Sequence, residues 1–125
     1  MQMSITDFIG CIQEAISNAP TAETVQLRGE PDAVLTGIFH DVTDNEIVLT
    51  FSEDFCQSIS PQEMLERIHE FHKVVDTTKT YILCSNEAAF ESGDIFMGNL
   101  ESIVGSQDEI LVSVTYNYFK LRENS

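Results

Sequence analysis

The apolar positions of the chain change period several times, and each change marks an element. Ile5, Phe8, Ile9, Ile12, Ala15 and Ile16 recur at spacings of three and four, which predicts an amphipathic helix. Ser4 with Asp7 three residues on resembles a capping box, and Asn18 and Pro20 supply a stop, because proline has no backbone N–H to continue the helix. The pattern then turns strand-like. Thr24 to Arg28 reads as a short strand and Gly29-Glu30-Pro31-Asp32 as a turn. Ala33 to Val42 reads as a longer strand, with Val34, Ile38 and Val42 on one face and Leu35 and Phe39 on the other. Apolar residues on both faces predict a central strand, and Gly37 inside it predicts a bulge or a close packing partner. Asp44-Asn45 suits a two-residue turn, since both types tolerate positive φ. Glu46 to Phe51 returns, with Ile47, Leu49 and Phe51 facing one way.

The second helix has the clearest start. Ser60 is placed to cap, Pro61 takes the first helical position, Glu63 closes the box, and Ile59 and Met64 occupy the staple positions. Met64, Leu65, Ile68, Phe71, His72 and Val75 form its apolar face, with Glu63, Glu66 and Glu70 largely outside it. Thr80 to Ser85 reads as a strand, Asn86 to Glu91 as one helical turn, and Ile95 to Val104 and Glu109 to Leu121 as two strands joined across 105–108. The order is α-β-β-β-α-β-β-β, with no internal repeat in the sequence. Strands joined by tight turns pair antiparallel. The expectation is therefore an α+β fold, a curved antiparallel sheet of about five to six strands with two main helices packed on one face.

Length adds that residues 1–125 suffice for a single domain, and 42% hydrophobic residues suffice for a core. Charge adds more. Twenty-one acids against six bases give a formal charge of −15. That balance opposes binding to nucleic-acid phosphates or to an anionic membrane surface. No apolar run approaches the ~18–20 residues of a membrane-spanning helix, and the first residues lack the pattern of a signal peptide. Cys11, Cys56 and Cys84 are odd in number and widely spaced, which predicts reduced thiols and a cytoplasmic location.

Candidate chemistry is sparse. Glu66 and His69 have the spacing of a ligand pair on one helix face, but no second helix offers a matching set, so no metal is expected. His40 and Asp41 are adjacent on a strand and point to opposite faces. A pairing of Cys56 with His40 would depend wholly on the fold. No phosphate-binding glycine motif occurs, and no cofactor or catalytic residue is expected.

The acids carry the functional expectation. Surplus carboxylates in local groups suit a cationic partner, because opposite charge speeds encounter and disfavours wrong partners. The chain reads as an acidic protein-binding module, not an enzyme: an immunity or inhibitor protein that neutralises a basic toxin or nuclease by direct binding. The expected contact surface is the hairpin tip and following loop, Asp41, Asp44, Glu46, Glu53 and Asp54, with Phe51 and Phe55 as apolar anchors. Glu63, Glu66 and Glu70 on the second helix form the alternative patch. Two further classes are a chaperone for a secreted effector, of the type III secretion kind, and a small-molecule protein or enzyme. The last would use a pocket inside the curved sheet, lined by His40, Tyr81, Tyr116 and Tyr118.

Overall fold

A computed structural model describes residues 2–41, 43–73, 79–88, 95–96, 98–115 and 120–121. Helix α1 spans Ile5–Asn18. The Asp7 N–H donates to Ser4 Oγ at 3.0 Å, and Ile5, Phe8, Ile9, Ile12 and Ala15 are buried, so cap and stripe both follow the sequence pattern. Helix α2 spans Pro61–His72. The Glu63 N–H donates to Ser60 Oγ at 3.1 Å, and Ile59 and Met64 are both buried as the staple requires. No described helix is long and apolar enough to cross a membrane.

The strands are β1 (Gln2–Met3), β2 (Val25–Leu27), β3 (Glu30–Asp41), β4 (Glu46–Ser52), β5 (Thr80–Asn86), β6 (Ile95–Phe96), β7 (Gly98–Ser106), β8 (Glu109–Thr115) and β9 (Lys120–Leu121). A 3₁₀ turn, Phe55–Gln57, lies between β4 and α2. The main sheet runs β1-β5-β4-β3-β2-β8-β7, and β7 pairs with β5 as well. That last pairing closes six strands into a barrel. β6 and β9 pair separately.

The fold is α+β, but the sheet is mixed and closed, which corrects the antiparallel sheet expected from the sequence. β2–β3, β3–β4, β5–β7 and β7–β8 are antiparallel, while β4–β5 and β2–β8 are parallel. The physical reason is the connection. A helix carries the chain from the end of β4 back to the start of β5, so the two strands run the same way. The second parallel pair joins β2, near one end of the chain, to β8, near the other. The arrangement repeats although the sequence does not: a helix and a three-strand meander occur twice, and the third strand of each meander pairs with the first strand of the other.

The apolar faces of both helices belong to one cluster with Val25, Leu27, Leu35, Ile38, Ile47, Leu49, Phe51, Ile82, Cys84, Leu100, Ile110, Val112 and Val114. α1 packs against β7 and α2. Its approach to β7 requires Gly105, where a Cβ would lie 2.0 Å from the Ala15 carbonyl oxygen. Leu35 and Ile38 join the same cluster because the β3–β4 register shifts between Leu35 and Gly37. The bulge expected at Gly37 is present, and it cancels the simple alternation that set Ile38 and Leu35 on opposite faces. Val42, Val75, Tyr116 and Tyr118, and the turn beyond Ala88, lie outside the described residues.

Candidate functional site

The β3–β4 hairpin turns through Asp44 and Asn45, and Asn45 takes φ 55°. The Asp44 N–H donates to Asp41 Oδ1 at 3.2 Å, which folds the tip back on its own carboxylate. Asn45 Nδ2 donates to the Lys79 carbonyl, and Thr80 Oγ1 donates to Asn45 Oδ1 at 3.1 Å, which ties the tip to the start of β5. The result is that one carboxylate oxygen from each of Asp41, Asp44 and Glu46 lies within 4.8 Å of the others. A cation could reach all three. Three surface carboxylates on a short turn fall well below the six to eight oxygens a hard divalent ion takes, so a metal is the weaker reading.

Register decides what surrounds this tip. Asp41 pairs with Glu46 and Glu46 with Tyr81; Phe39 pairs with Val48 and Val48 with Leu83. Paired residues share a face, and alternate residues along a strand return to it. These six side chains therefore form two rows across three strands on the face turned away from the helices. Val48 and Leu83 are buried as a small cluster of their own. At opposite corners, Phe39 is 47% exposed and Tyr81 49% exposed. Phe39 leans over Gly37, where a Cβ would lie 2.8 Å from the ring and 2.3 Å from Thr50 Oγ1. Thr50 Oγ1 is buried there without a hydrogen-bond partner.

The remaining expected site residues divide. Phe51 is 1% exposed and sits in the main core, so it is not an anchor; the alternation that grouped it with Ile47 and Leu49 decides its place. Glu53, Asp54 and Phe55 follow the other end of β4. Seven residues of strand separate Glu46 from Glu53, about 23 Å at ~3.3 Å each, so the expected patch is two patches. In the second, Asp54 Oδ1 accepts from the Cys56 N–H at 3.1 Å, and Phe55 is 50% exposed. On α2, Glu63 is bound by Arg67 at 2.7 Å and Glu70 by Lys73 at 3.0 Å, which leaves Glu66 as the acid of that patch without an ion pair between described residues.

No family model, curated protein or solved structure matches this chain. The site is therefore read from its own geometry. A pocket of about 450 Å³ opens beyond the ends of β4 and β5, with Leu27, Ala33 and Phe51 at its floor and Glu30, Glu53, Asn86 and Glu87 around it. Glu87 Oε2 accepts from Thr36 Oγ1 at 3.3 Å. His40 and Tyr81 do not line it. His40 points inward, with its ring 4.9 Å from that of Phe71 on α2, and its Nε2 is buried without a partner. Burial holds its pKa below the ordinary histidine value, with Asp41 opposing. Cys56 lies past the far end of β4 from His40, so the fold does not pair them. Cys84 is buried in the core and its thiol is pushed up to about 12 by desolvation.

Sequence reasoning missed Phe39 and Tyr81 as exposed groups. The signal was present for Phe39. It lies two residues before Asp41 on the strand and so shares its face.

Proposed function

We propose that the chain is an acidic protein-binding module that meets a basic protein and neutralises it by direct contact, as an inhibitor or immunity protein does. The observation that supports this best is the outer face of β3, β4 and β5, where two half-exposed aromatic rings flank carboxylates that converge within 4.8 Å. Exposed aromatic side chains give a partner apolar area at small entropic cost, and the carboxylates beside them favour positive charge. The anchors in this reading are Phe39 and Tyr81, in place of Phe51. Glu53, Asp54 and Phe55 then form a separate secondary patch. A cytoplasmic location and a toxin or nuclease as partner belong to the same proposal.

The test is association with the basic protein encoded by the neighbouring gene, followed by stopped flow. Asp44→Lys should slow association severalfold in dilute buffer and much less at high salt, with the thermal midpoint nearly unchanged. Asp54→Lys should have the smaller kinetic effect. Absence of any wild-type complex at low salt would defeat the proposal. A second reading, a small cationic ligand, is favoured by the open pocket among Glu30, Glu53 and Glu87. Saturable binding of a diamine that is lost in Glu87→Gln would support it.

A further inference from the structure

The docking face restricts what kind of cation it suits. Along β3 the outward residues run Gly37, Phe39, Asp41; along β4 they run Thr50, Val48, Glu46, with the pairs Gly37–Thr50, Phe39–Val48 and Asp41–Glu46 in register. The seam between the strands therefore passes from a site with no side chain, across an aromatic ring and a valine, to a group of three carboxylates. Phe39 leans toward Gly37, away from the acids, and remains about half exposed. An apolar stretch followed at once by several carboxylates matches a side chain with an apolar stem and a flat, multiply donating cationic head. Arginine has that shape. Its guanidinium stacks on aromatic faces and offers five donors in a fixed fork, so it can bond two carboxylates together. A lysine ammonium is a compact, strongly hydrated charge and gains less from the ring. The chain's own charge of −15 and the mutual repulsion of Asp41, Asp44 and Glu46 make a cation the complementary occupant.

We propose, resting on the docking reading above, that the partner meets this face with an arginine laid along the β3–β4 seam, its stem on Phe39 and Val48 and its guanidinium held by Asp41, Asp44 and Glu46. The face thereby selects arginine over lysine.

The test uses the isotopically labelled full chain and two decapeptides that differ only in carrying arginines or lysines, titrated by NMR at physiological salt. The arginine peptide should shift the amides of Phe39, Asp41, Asp44 and Glu46 and bind about tenfold more tightly than the lysine peptide. Phe39→Leu keeps an apolar cover over Gly37 but removes the aromatic face; it should erase most of the preference while the thermal midpoint stays close to wild type. Asp41→Asn with Glu46→Gln should weaken both peptides. Equal affinity for the two peptides, with the shifts still on this face, would overturn the arginine inference and leave the docking reading standing. Shifts confined to α2 or to the pocket at Glu87, or no shifts at all, would overturn both.

Discussion

Phe39 and Phe51 stand on the two strands of one hairpin, yet one ring is half in solvent and the other is sealed in the core. The difference is the face each strand position presents. Ile47, Leu49 and Phe51 turn toward the helices and join the apolar cluster that includes Phe8, Ile12, Met64 and Ile68. Glu46, Val48 and Thr50 turn the other way, beside Asp41, Phe39 and Gly37. A strand of seven residues thus carries two separate jobs, one for stability and one facing outward, and a substitution should report which it disturbs.

The largest contrast is between the two phenylalanines. Phe51→Ala should cost about 3–5 kcal/mol, because the removed ring leaves a cavity in a packed core. Phe39→Ala should cost less than half as much by the same urea titration. Equal losses would mean that Phe39 is a core residue and that the outer face is no free surface.

Gly37 tests the outer face from beneath. An added Cβ would meet Thr50 Oγ1 at 2.3 Å and the Phe39 ring at 2.8 Å, so something must move. Gly37→Ala should cost about 1–3 kcal/mol, the usual range for overpacking. Because the nearest obstacle is one hydroxyl, the same change made in Thr50→Ala should cost clearly less. Additive losses would show that the strain lies in the backbone. Thr50→Val should fold at least as well as the wild type, since it removes a buried hydroxyl that has no partner.

These contrasts also show what was legible beforehand. Ser60, Pro61 and Glu63 announce α2, and Asp44-Asn45 announces the hairpin, because capping and turn chemistry act between near neighbours. The closure of the barrel could not be read in this way. It rests on β2 pairing with β8 and β7 with β5, contacts between distant segments that no local pattern encodes. The candidate site suffered in the same manner. Asp41 to Asp54 look like one acidic run in the sequence, but β4 is extended and carries Glu46 and Glu53 to opposite ends. Phe51 was assigned two incompatible roles, core by its alternation and anchor by its neighbours; alternation prevailed because burying a ring stabilises more than a nearby charge can offset.

The smallest effect separates the inner face from the outer by pH. His40 sits between Phe39 and Asp41 but points inward to Phe71, and its buried Nε2 has no partner to receive a second proton's hydrogen bond. Desolvation lowers its pKa, and the charge of Asp41 only partly opposes this. The folded chain therefore binds this proton less readily than the unfolded chain does. Stability from the neutral ring is fully present above the unfolded value of about 6.5 and declines as pH falls through the lower folded value. Unfolding midpoints of wild type and His40→Leu should accordingly run parallel above neutrality and draw together on acidification, with the variant lacking this component of the slope. Hydrogen exchange should place the loss at α2 and the inner side of β3, while Phe39 and Glu46 keep their resonances until the whole domain opens. If His40→Leu retains the wild-type slope, the acid sensitivity belongs to another group, and the inner face near Phe71 is not where protons act.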